Sequence, residues 1–243
     1  MRQNVIENKF NCEYAPLATI YSNMAREFTV KNANDFYLDL NNSRLHVLAK
    51  ITNADETNID LNTAATINLT LHSMFREIEL ELNGRNFGDT SQLYPNRSVL
   101  ESLLNCCKEV YKTSLLSEGW TKDTSEHMNV TAVGGNNAGF NARAATFAKS
   151  SLVKLISRAY LDVFHQARLI PRNIDLHIKL ISSPNDFVCK SAVPGQGAKQ
   201  ENYKLVFQKA NLIICTKKLT STAHEALMDL LVSQNIVHHL LRV

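Results

Sequence analysis

The sequence predicts an all-β fold, a jelly-roll β-sandwich of about eight strands with inserted and C-terminal helices. Three observations carry the expectation: strict alternation over Arg76–Leu82, a hairpin dipeptide directly after it, and no β-α-β alternation along the 243 residues. Ile78, Leu80 and Leu82 alternate with Glu77, Glu79 and Glu81, so one face of an antiparallel strand is buried and the other wet. Asn83-Gly84 follows at once, and a type I′ turn needs the positive φ that both residues tolerate.

Taken in order, residues 1–33 show no sustained period and read as an N-terminal arm with at most one short strand near Leu17–Tyr21. Asn34–Leu40 and Arg44–Thr52 read as two strands parted by Asn41-Asn42-Ser43, with Leu45, Val47, Ala49 and Ile51 on one face. Asn53–Asn62 is a polar loop, and Ala65–Leu82 supplies two more strands around a tight corner. Pro95 suits the first turn of a helix whose Val99, Leu100, Leu103, Leu104 and Cys107 share one side, which is expected to pack on the sheet. An irregular insertion spans about 112–150, carrying Trp120 and a glycine-rich loop at 134–139.

Beyond it, Leu152–Ile156, Ala159–Phe164, the alternating Ile174, Leu176, Ile178 and Leu180, Tyr203–Phe207 and Ala210–Leu219 read as strands. A helix from about Thr222 to Ser233 closes the series. Thr222 and Glu225 stand in capping-box spacing, and Ala223, Ala226, Leu227, Leu230 and Leu231 form a face expected to be core. The jelly roll itself is expected to occupy 34–220 as a single domain.

Bulk properties narrow the function classes. No apolar run approaches the ~18–20 residues of a spanning helix, and the polar N-terminus argues against a secretory leader. The chain is therefore expected to be neither secreted nor membrane-bound, in a cytoplasmic or nuclear setting. The five cysteines, Cys12, Cys106, Cys107, Cys189 and Cys215, show no C-x-x-C spacing and read as reduced thiols. Charge is uneven: residues 141–220 carry thirteen Lys or Arg against four acids, a net of +9, which leaves −6 for the rest of a +3 chain. Solvated strand faces explain this best, and a surface for nucleic acid is the alternative.

Motifs of chemistry fail one by one. Gly195-Gln196-Gly197 opens like a nucleotide fingerprint, but Gln200 stands at the third glycine and no helical pattern follows. His224-Glu225 opens like a zincin helix, but Met228 replaces the second histidine. Glu77, Glu79 and Glu81 form a row on one strand face, not two carboxylates converging across a cleft. Trp120 and Tyr94 are candidate partner anchors that burial explains equally well. No catalytic, cofactor-binding or metal residue is assigned, no small-molecule substrate is expected, and the chain reads as a non-enzyme.

Six stretches then resemble, in order, the major capsid proteins of Polinton (Maverick) elements and the related adintoviruses. They are Asn34–Leu40, Ile67–Gly84, Leu93–Leu104, Gly119–His127, Leu161–Leu180 and Leu219–Leu227, spread over roughly 34–243. The resemblance implies a structural protein of the virion that self-assembles with other capsid proteins, as a trimeric capsomer when a second jelly roll is supplied. Such proteins resemble double jelly rolls, and this chain is expected to hold the N-terminal half, with 221–243 as the junction. Apolar surface is expected there, at Ile236, Val237, Leu240, Leu241 and Val243. The alternative function is a non-catalytic β-sandwich module contacting nucleic acid through the basic 141–220 half.

Overall fold

A computed structural model describes residues 5–17, 25–32, 36–60, 63–88, 91–132, 134–191 and 203–234. Among these described residues ten strands are present: β1 (Ile6–Tyr14), β2 (Arg26–Val30), β3 (Tyr37–Asn53), β4 (Ala64–Thr66), β5 (Phe75–Leu82), β6 (Arg85–Asn86), β7 (Val153–Ser157), β8 (Leu176–Ser182), β9 (Cys189–Ser191) and β10 (Tyr203–Leu219). Eight of them build two antiparallel four-stranded sheets, ordered β1-β10-β3-β7 and β2-β8-β5-β6, while β4 and β9 form a small ribbon. Successive strands cross from one sheet to the other, except at the β5-β6 hairpin. That wiring is a jelly roll.

Alternation places the core. Val47, Ala49 and Ile51 of β3, Ile78 and Leu80 of β5, Ile178 and Leu180 of β8, and Leu212 and Ile214 of β10 are all buried in one cluster between the sheets. Asn83 and Gly84 take φ of 48° and 74°, and Leu82 pairs with Arg85 across the turn, as the hairpin dipeptide predicts.

Several elements depart from expectation. Residues 1–33, read as an arm, contribute two strands: β1 pairs with β10 at the edge of one sheet, and β2 pairs with β8 in the other, burying Phe28 and Val30. Most of the strand expected at Leu17–Tyr21 lies outside the described residues. The two expected strands around Asn41-Asn42-Ser43 are one, because this segment forms a bulge whose groups are satisfied in place. Ser43 Oγ donates to the Asp39 carbonyl at 2.7 Å and accepts from the Cys215 amide at 3.0 Å. Likewise Tyr203–Leu219 is continuous, with its register shifting between Phe207 and Lys209.

Ala159–Phe164 is not a strand. Ala159, Tyr160, Leu161, Val163 and Phe164 are all buried, so the run covers the core without alternating and turns into the short helix α5 (Asp162–His165). Numbered in chain order, the other helices are α1 (Thr70–Ser73), α2 (Tyr94–Asn105), α3 (Lys108–Tyr111), α4 (Ala138–Thr146), α6 (Asn185–Val188) and α7 (Ser221–Gln234), with 3₁₀ turns at Ser114–Glu118 and Ala148–Ser150. The 112–150 insertion thus holds helical turns, and Asn137 caps α4 by accepting from the Phe140 amide.

Candidate functional site

The densest polar chemistry inside the fold lies where α1, α2 and the Ser114–Glu118 turn meet. His72, 1% exposed, shares a 2.8 Å hydrogen bond with the Tyr94 hydroxyl through Nδ1, and its Nε2 stands 3.2 Å from Glu118 Oε2, off hydrogen-bond alignment. The Tyr160 hydroxyl sits 2.7 Å from Ser102 Oγ and donates to Glu118 at 3.4 Å, while the Tyr160 amide donates to the Tyr94 hydroxyl. Burial pushes both phenols well above their ordinary range. A histidine, a carboxylate and two tyrosines in this proximity imitate an acid–base site, yet apart from His72 Nε2 they are hydrogen-bonded to one another and to Ser102 inside the protein. The network locks α2 onto the sandwich.

A second polar clamp holds the insertion. Arg143 of α4 donates to the Thr66 carbonyl at 3.0 Å, to Thr121 Oγ1 at 2.6 Å and to Asp123 at 2.9 Å. Asn68 Nδ2 bonds the Thr121 carbonyl and Asp123 from the corner before α1. Tyr94 is buried as a strut of the first network, while Trp120 is half-buried and stacks on half-buried Tyr111 with ring centroids 4.6 Å apart.

The glutamate row is not the wet face expected of it: Glu77 is buried, and Glu79 and Glu81 are half-buried. Glu79 pairs with Lys179 at 3.2 Å, and Glu81 stands 3.8 Å from His177. His224 shares a 2.7 Å hydrogen bond with the Tyr37 hydroxyl, which tethers α7 to β3. Gly195-Gln196-Gly197 lies outside the described residues. Among the described residues no group of three His, Cys, Asp or Glu side chains is placed to hold a metal, and no helix is long and apolar enough to cross a membrane.

Pairing also offsets part of the charge asymmetry. Arg143, Lys179, Lys204, Lys209, Lys217 and Lys218 face Asp123, Glu79, Glu56, Glu13, Asp39 and Glu7, all of them outside 141–220. Six of the thirteen basic side chains of 141–220 are thus matched by acids of the remainder, which reduces the positive charge that segment can offer to phosphates.

What the surface does offer is apolar. The expected packing of α2 is reversed: Tyr94, Pro95, Ser98 and Ser102 face inward, while Val99, Leu100, Leu103 and Leu104 are 37%, 59%, 55% and 82% exposed. The serines are small enough for close approach, and Ser102 meets Tyr160, so the polar side of this helix fits the polar network beneath it. At the β5-β6 end, Leu82, Phe87, Leu169 and Ile170 line part of a mostly apolar cleft of about 520 Å³. On α7, the face expected as core is open at Ala226 and half-buried at Ala223 and Leu227. The side chains of Leu230 and Leu231 and the tail from 235 lie outside the described residues.

No protein-family model and no curated protein matches the sequence. Solved structures do. A chain of the Sputnik virophage, seen by cryo-EM, superposes with a TM-score of 0.62 at 11% identity, over 90% of this chain and 49% of that one. The faustovirus major capsid protein gives 0.50 at 8% identity, over 91% and 56%. The mavirus major capsid protein gives 0.46 at 11% identity, over 87% and 46%. At such identities the likeness establishes the fold, and the chain spans about half the length of the structures it matches.

Proposed function

We propose that this chain is a structural capsid-type protein of a viral or Polinton-like element, acting by self-assembly and not by turnover. The observation that carries the reading is the wiring of its two sheets, which superposes on a virophage chain over 90% of this sequence at a TM-score of 0.62. The outward leucines of α2 add apolar surface of the kind that marks protein contacts. Because the chain spans about half of its structural neighbours, a capsomer of paired jelly rolls would combine it with a second such unit, and a trimer of those pairs is the assembly we propose. The functional location is then the virion.

Sedimentation velocity and negative-stain imaging test this, on the chain alone and mixed with a second jelly roll from the same element. Concentration-dependent oligomers, reaching pseudo-hexagonal particles in the mixture, are the expected result. Strictly monomeric material in both samples overturns the reading.

A further inference from the structure

The exposed side of α2 is organised, not merely apolar. Leu100, Leu103 and Leu104 stand at i, i+3 and i+4 with Val99 beside them, Leu93 lies just before the first turn, and exposed Cys107 lies two residues past the last, so an apolar ridge runs along the helix. The ridge carries no charge. Arg97, the one charged group beside it on the first turns of the helix, is already held by Glu101 at 2.6 Å and by Asp162. Covering the ridge therefore strands no ion, which is the condition an apolar partner surface requires.

We propose that the α2 ridge is a two-fold contact between copies of this chain, the helices packing antiparallel. This rests on the assembly reading above and names the surface through which assembly begins. The spacing is self-complementary: an axis midway between Glu101 and Ser102 sets Leu100 against Leu103 of the second copy and Val99 against Leu104, with the same contacts returned. Size agrees as well. From their exposures, Leu93, Val99, Leu100, Leu103 and Leu104 offer on the order of 500 Å² per copy, so full coverage of both ridges removes up to roughly 1,000 Å², the lower bound for a specific interface. The helix itself is fixed beneath by Tyr94, Ser102 and Tyr160, so the ridge is presented rigidly and little ordering is lost on contact.

The test compares the wild-type chain with Leu100→Lys and Leu104→Glu single variants by sedimentation equilibrium between about 1 and 100 µM. Both positions face outward, so circular dichroism and the melting temperature should stay near wild type, and the dimer Kd should rise at least about 100-fold. Peptide-resolved alkylation of Cys107 supplies a second readout that needs no variant: its labelling slows as wild-type concentration rises through the Kd. A wild-type chain that associates with unchanged affinity in both variants and with unprotected Cys107 overturns this contact while leaving self-assembly standing. A wild-type chain that stays monomeric, alone and with a second jelly roll, overturns both.

Discussion

The Lys217 ammonium reaches Asp39 Oδ2 at 2.6 Å, joining β10 to β3 where β3 bulges. Asp39 is 3% exposed and also receives the Asn42 amide and side chain, so one carboxylate organises the whole bulge. A strand interrupted by Asn-Asn-Ser stays a strand because that side chain receives its loose donors.

That pair sets an acid limb on stability. Burial alone would raise the Asp39 carboxyl, but hydrogen bonds from Lys217 and Asn42, with the Lys217 charge, outweigh it and hold the group below its ordinary value. A depressed folded value contributes stability above the unfolded aspartate value of about 4 and loses it as pH falls through the folded one. Asp39→Asn should cost about 2 kcal/mol at pH 7. Urea midpoints measured from pH 7 to pH 3 should fall less steeply for the variant than for wild type.

Tyr94→Phe should destabilise by about 1–3 kcal/mol, because it leaves His72 Nδ1 and the Tyr160 amide buried without their shared partner. Chemical denaturation reads the loss. A change below 0.5 kcal/mol would mean that the network does not hold α2 in place.

Gly119 ends the Ser114–Glu118 turn at φ 79°, and a Cβ there would stand 2.6 Å from the Thr70 Cβ. Gly119→Ala combines a left-handed backbone with a clash at the α1 corner and should cost about 2–3 kcal/mol. Thermal melts compare it with Gly84→Ala, where the backbone is also left-handed but space is open, so the smaller loss is expected at Gly84.

Thiol chemistry should split the cysteines by burial. Cys107 is exposed and should be labelled by a disulfide reagent in the folded chain at low protein concentration, whereas burial pushes the Cys189 thiol up to about 12 and shields it. Cys215 is also buried and raised. Labelling followed by mass spectrometry should find Cys189 and Cys215 modified only after unfolding.

Much of the sandwich was legible because it is written locally. Alternation in β5 and β8 exposes its period in single residues, and Asn83-Gly84 declares its turn without help from the rest of the chain. Ala159–Phe164 misled for the opposite reason: a short run apolar on every side carries no period to read. β1 was missed because an edge strand exposed over most of its length shows no buried face until β10 lies beside it, and β2 because its buried face begins with a charged residue, Arg26, before Phe28 and Val30. The interior polar groups around His72 come from positions as distant as Glu118 and Tyr160, a convergence that no spacing announces.

By itself the sequence determined that this chain forms a sandwich of antiparallel strands, since side-chain parity along a strand is a property of neighbouring residues. It also determined that α2 is a helix with its leucines gathered on one of its two sides. Which of those sides faces inward was decided only by tertiary structure, because burial depends on what lies opposite. Here a shelf of His72, Glu118 and Tyr160 took the serines and turned the leucines out to the surface.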